Sequence, residues 1–108
     1  MSKHLREHWH LLHFLMHEVQ PKQLKAVLST LDRGQTDVLG EIAVNVLYGT
    51  IPISEEHKGK LKPYASKVEY IGDSRNSLKS RRDLILANPR MIVLLMRAVK
   101  PLLKSLLQ

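Results

Sequence analysis

A run of six apolar residues, Met91-Ile92-Val93-Leu94-Leu95-Met96, is continued at helical spacing by Leu102, Leu103, Leu106 and Leu107. The stretch opens on Asn88-Pro89, a capping residue followed by a proline suited to the first helical position, where its missing N–H costs nothing. On a helical wheel Arg90, Arg97, Lys100 and Lys104 fall within a wedge roughly 80° wide, and the rest of the circumference is greasy. Such a helix is stable only with its broad apolar side covered. Two covers fit: the rest of the chain, with this helix closing a bundle, or an anionic bilayer on which the helix lies. A chain of 108 residues has one modest core to build and needs these leucines for it, which favours the bundle. Pro101 should bend the helix or loosen its last turn.

The rest of the chain reads as shorter helices cut by turn residues. Residues 3–19 are amphipathic, with Leu5, Trp9, Leu12, Leu15, Met16 and Val19 on one side. Leu11 and Phe14 fall away from that stripe, and either widen the buried face or meet a partner chain. Gln20-Pro21 ends this helix and starts a second, to about Leu31, carried by Leu24, Val27, Leu28 and Leu31. Asp32-Arg33-Gly34 reads as a turn. A third helix from about Thr36 to Tyr48 has Val38, Leu39, Ile42, Ala43, Val44, Val46 and Leu47 nearly all round it, which marks it as the central element. Its narrow polar edge, Asp37, Glu41 and Asn45, reads as a solvated strip.

Gly49 can close that helix with a positive φ, Pro52 belongs to an extended link, and Ser54 caps a fourth helix whose first turn holds Glu55 and Glu56. Pro63 should kink or split it, leaving a second piece from Tyr64 to Ile71 in which Tyr64, Val68 and Ile71 pack inward. After the turn at Gly72-Asp73, Ser77 caps a fifth helix to Ala87. The expected fold is therefore all-α, a compact bundle of five or six helices in a single domain over residues 1–108.

Charge is distributed unevenly. Residues 1–53 are formally neutral, so the whole net charge of +7 belongs to residues 54–108. That asymmetry is expected of a surface facing phosphate or anionic lipid. The candidate nucleic-acid contacts are Lys58, Lys60, Lys62, Lys67, Arg75, Lys79, Arg81 and Arg82. Lys79, Arg81 and Arg82 sit in the first turns of the fifth helix, at the positive end of its dipole. A phosphate bound there would turn an unfavourable placement into a favourable one, with helix-end amides and arginines converging on one anion. The same cluster fits a nuclear-entry signal. Only 5% of residues are aromatic, so base stacking is scarce and contacts should go to the duplex backbone with weak sequence preference. Arg90, Arg97, Lys100 and Lys104, with Leu102, Leu103 and Leu106, are the candidates for a membrane or partner helix.

Other chemistries find little support. Absence of cysteine removes disulfides, thiolate metal sites and cysteine nucleophiles, and fits an intracellular or intravirion setting. No phosphate-binding glycine loop, nucleophile elbow or paired carboxylates appear, so neither an enzyme nor a cofactor is expected. The opening MSKHLREHWH lacks the pattern of a secretory signal. Five histidines crowd the first helix, His4 and His8 four apart and His10, His13 and His17 sharing a sector. They read as a polar face, with pH sensing or zinc-like spacing as alternatives; no bound metal is expected, since no carboxylate in that sector orients the rings.

One phrase carries a resemblance. Glu41-Ile42-Ala43, Asn45-Val46-Leu47, Gly49, Ile51-Pro52-Ile53-Ser54, Lys58 and Lys60-Leu61-Lys62, followed by Ser77-Leu78-Lys79-Ser80-Arg81-Arg82, resembles small basic, Leu-rich proteins encoded by Polinton/Maverick elements and adintoviruses. The likeness covers roughly residues 35–107, and departs from the family at Pro63 and where Ser and Asp interrupt the Lys/Arg run. Those proteins have been likened to small adenoviral core proteins. The resemblance therefore implies a virion or host-nuclear packaging accessory that binds DNA, with a capsid protein or a second copy as partner. A membrane-active protein and a helical protein–protein interaction module are the alternatives.

Overall fold

The structure, a computed structural model, describes residues 2–17 and 20–107, with side chains described within residues 3–17 and 20–105. Its elements are α1 (Ser2–Glu7), α2 (Trp9–Met16), α3 (Pro21–Ser29), α4 (Arg33–Leu47), α5 (Glu55–Leu61), a 3-10 turn (Lys62–Tyr64), α6 (Ala65–Gly72), α7 (Leu78–Ala87) and α8 (Pro89–Leu107). The all-α expectation holds, and no strand occurs among the described residues. Among the described residues eight α-helices replace the expected five or six, because the first and fourth predicted helices each come in two pieces.

The split at Pro63 is the expected one. The split at His8 is not: φ −114° and ψ 24° take that residue out of the helix, while Leu5 and Leu12 on either side are fully buried. The His8 ring packs over Gly34, where an added methyl would come within 3.2 Å of the imidazole. The start of α4 is also corrected. Asp32-Arg33-Gly34 is a helix start, because the Asp32 carboxylate accepts from the Gln35 amide and the Gln35 side chain accepts from the Asp32 amide, closing a capping box. Ser54 and Ser77 cap α5 and α7 as expected, accepting from the amides of His57 and Ser80. Asn88 does not face forward onto α8; its side-chain amide donates back to the Leu84 carbonyl of α7. Gly49 takes φ +79°, and the Ile51 amide turns back to the Asn45 carbonyl to finish α4.

The core is aliphatic, and α8 lies at its centre. Met91, Ile92, Leu95, Met96, Val99 and Leu103 are all fully covered, packed towards α2, α3, α5 and α7. Burying each such side chain contributes about 1.5–3 kcal/mol. The apolar side of α8 is thus covered by the chain itself, and Pro101 is accommodated on the exposed side, where water can take the carbonyl it leaves unpaired. Leu102 is half-buried; Val19 and the Leu106 and Leu107 side chains lie outside the described residues. The expectation of α4 as the central element is only partly met: Val38, Leu39, Ile42 and Ala43 are buried, but Val44, Val46 and Leu47 are half-covered. Leu11 is buried and Phe14 half-buried, so both widen the covered face of α2.

Helices α4 and α6 pack most closely. A methyl at Gly40 would overlap the Ile71 carbonyl, and one at Gly72 would overlap the Val44 side chain, so glycine is required at both positions. No described helix is long and apolar enough to cross a membrane.

Candidate polyanion-binding surface

The eight cations expected to hold phosphate do not gather into an uncompensated patch. On α5, Lys58 Nζ lies 3.1 Å from Glu55 and Lys60 Nζ 3.1 Å from Glu56, one turn back on the same helix. The two acids that favour the helix start also neutralise the lysines that follow. Hydrogen bonding to Lys60 and the nearby charges of Lys60 and His57 hold the Glu56 carboxyl below its ordinary range. In the turn after α6, Arg75 grips Asp73 through Nε and Nη2 at 2.8–3.2 Å, while its amide donates to the same carboxylate at 3.0 Å. These bonds hold the Asp73 carboxyl down to about 2 and push the Arg75 guanidinium up.

The α7 cluster departs furthest from expectation. Lys79 pairs with Asp83 at 2.7 Å, one turn on. Arg82 donates from Nη1 to the Leu31 carbonyl in the link between α3 and α4. Arg81 is 1% exposed and donates from Nη1 to Asp37 Oδ1 at 2.7 Å, joining α7 to α4. It is an interior ion pair, and no phosphate in solution meets it. The reason is periodicity: Arg81 lies four residues before Ile85, which is fully buried, so both occupy the inward face of α7. Its Nε and Nη2, and Thr36 Oγ1, have no hydrogen-bond partner within the described protein.

Of the eight, Lys62, Lys67 and Arg82 carry no carboxylate partner among the described residues; Arg82 is held by the Leu31 carbonyl, and Lys67 lies 5.6 Å over the Tyr64 ring. The polar edge of α4 is likewise not a solvated strip. Asp37 meets Arg81, Glu41 lies 3.0 Å from His4, and the Asn45 side chain donates to the Glu41 carbonyl. Of the other N-terminal histidines, His13 and His17 stack with ring centroids 4.2 Å apart. No three His, Asp or Glu side chains come close enough to hold a metal ion among the described residues.

The wedge on α8 behaves differently. Arg90, Arg97 and Lys104 are exposed and Lys100 is half-buried, while the opposite side of the same helix is core. None of the four has a carboxylate within ion-pair distance among the described residues, and α8 contains no acid. Arg97 and Lys100 open with His17 and Gln20 onto a depression of about 450 Å³ beside the end of α2. Neighbouring α3 adds exposed Lys22 and Lys25 and has no acid either. Arg90, Arg97 and Lys104 are seven residues apart, which places them at intervals of about 10.5 Å along one face. Reading the sequence placed these residues on a membrane or partner helix; the geometry leaves only their cationic edge available.

Comparison with known proteins gives no relative to set beside this geometry: no family model, no curated protein and no solved structure matches the chain.

Proposed function

We propose that this chain is a non-enzymatic binding protein that holds the phosphate backbone of duplex nucleic acid along the outer edge of α8. The observation that carries the reading is the row Arg90, Arg97, Lys100 and Lys104, four cations with no described carboxylate partner on a helix whose other side is locked into the core. A rigid ridge of this kind loses little conformational freedom on binding, and each phosphate it neutralises releases counterions. For a helix laid along the duplex axis, a 10.5 Å interval corresponds to roughly every third phosphate of a strand. The resemblance of Asn45–Lys62 to the basic proteins of Polinton elements and adintoviruses supports a packaging accessory in a virion or nucleus. It adds nothing about which residues touch DNA.

Bilayer insertion fits less well. It would require Leu94, Leu95 and Leu103, all buried, to leave the core.

The test is a salt titration of duplex DNA binding followed by fluorescence anisotropy. Four phosphate contacts give a log–log slope of about −3.6, so affinity should fall roughly 100-fold between 50 and 200 mM salt. Replacing Arg97 and Lys104 together by alanine should flatten the slope by about 1.8, while replacing Lys60 and Lys79 should leave it nearly unchanged. Salt-independent binding, or a slope that responds only to Lys60 and Lys79, would overturn the assignment.

A further inference from the structure

Helices α4, α5 and α6 enclose an apolar depression of about 680 Å³ that the polyanion reading does not use. That volume lies within the range of small-molecule sites, which occur between the helices of bundles. Val46 and Leu47 line it from α4, Leu61 from α5, Val68 from α6, and Leu95 of α8 lies at its base. Lys58 and Lys62 stand at its edge, four residues apart. Lys62 has no ion-pair partner among the described residues. Lys58 pairs with Glu55, which lines the depression as well, so the uncompensated positive charge at this edge is that of Lys62.

Two further features belong to the same place. Gly59 lies inside α5, where glycine weakens a helix relative to alanine, yet a methyl there would meet nothing within 4 Å. No packing contact demands glycine; what its bareness does is keep the wall of the depression clear. Tyr48, 68% exposed, flanks the opening with most of its ring uncovered.

We propose that this depression binds an amphipathic anion, an alkyl chain ending in a carboxylate, with the chain against Val46, Leu61, Val68 and Leu95 and the carboxylate between Lys58 and Lys62. The apolar base matches the tail, and an edge of two lysines against the one carboxylate of Glu55 keeps a positive charge for the head. An amphipathic partner helix would need a continuous row of anchor sites at successive turns. Here the neighbouring apolar depression, at Pro52, Pro101 and Leu102, shares only Ile53 with the first. A single short chain fits the first alone.

The probes are decanoate and decyltrimethylammonium, which share a tail and differ in the sign of the head, each kept below its micelle-forming concentration. Methyl NMR of the full chain should show saturable shifts at Val46, Leu47, Leu61 and Val68 with decanoate, and binding at least about tenfold weaker for the cation. Lys62→Glu, at an exposed position, should abolish or invert that preference. Gly59→Leu, which fills the opening, should remove the decanoate shifts while circular dichroism stays unchanged. Equal binding of the two amphiphiles, binding of neither, or saturation of these methyls by an acidic helical peptide while decanoate is silent would each overturn the proposal.

Discussion

The cations of residues 58–82 and those of α8 answer the same compositional signal with opposite structures. Between Lys58 and Arg82, five side chains meet carboxylates: Lys58, Lys60 and Lys79 within their own helix, Arg75 in its turn, and Arg81 across to Asp37 of α4. On α8, Arg90, Arg97, Lys100 and Lys104 have no acid on their own helix and none within ion-pair distance among the described residues. Counting charges along the chain favours the first group, because it is denser. Counting what lies three or four residues away, and what lies across the packing, favours the second. Density of charge in a sequence and density of available charge on a surface are different quantities.

The sharpest way to break this contrast is at its buried member. Asp37→Ala leaves the Arg81 guanidinium in the interior without its counter-charge and should cost about 3–5 kcal/mol in chemical denaturation. Arg81→Met should cost clearly less. It removes the charge together with two nitrogens that have no described partner, and leaves Asp37, whose side chain is 34% exposed, able to meet water. If the two substitutions cost the same, Arg81 is not the desolvated member of the pair.

The apolar side of α8 gives the next largest effect. Leu103→Ala empties a fully buried site and should destabilise by about 2–5 kcal/mol in the same assay. A cost near zero would mean that the end of α8 is not held in the core. Within the paired group, Lys79→Ala should change stability by less than about 0.5 kcal/mol, since its bond to Asp83 is an exposed one-turn pair.

The smallest effect concerns Asp73. Its folded carboxyl is held down to about 2 from the ordinary 3.8, so the bond to Arg75 contributes stability above the ordinary value and loses it as pH falls through the folded one. A carbon-detected NMR titration should place the Asp73 midpoint near 2, and Arg75→Ala should return it towards 3.8. A midpoint unmoved by that substitution would separate the shift from Arg75.

Much of this fold is legible locally. Ser54, Ser77, Gly49 and Pro63 each act through their own backbone neighbours, and the residues alone place those boundaries. The leucines of α8 were open to two covers, and the need of a short chain for a core pointed to the one observed. What escaped reading depends on distant partners. Arg81 looks like one of a surface run until Asp37, forty-four residues away, is set opposite it; its spacing to Ile85 was the available signal. At the break the His8 ring sits over Gly34 of α4, and nothing in the first helix announces it. Asp32 taken with Arg33 and Gly34 reads as a turn, although Gln35, three positions on, completes a capping signature. Of the candidate surface, the four α8 cations share one wedge in the sequence and lie exposed or half-buried in the fold; a wheel shows which residues share a side and not which side the core claims.

The glycine contact between α4 and α6 reaches beyond its own neighbourhood. The same two helices touch backbone to backbone at Gly40 and Gly72, and further along supply Val46, Leu47, Ala65 and Val68 to the hollow beneath α5. The close approach at the two glycines therefore sets the spacing of the helices that wall the hollow. A single methyl inserted there, as in Gly40→Ala, should push the two backbones apart and so alter the hollow from a distance, without changing any side chain that lines it.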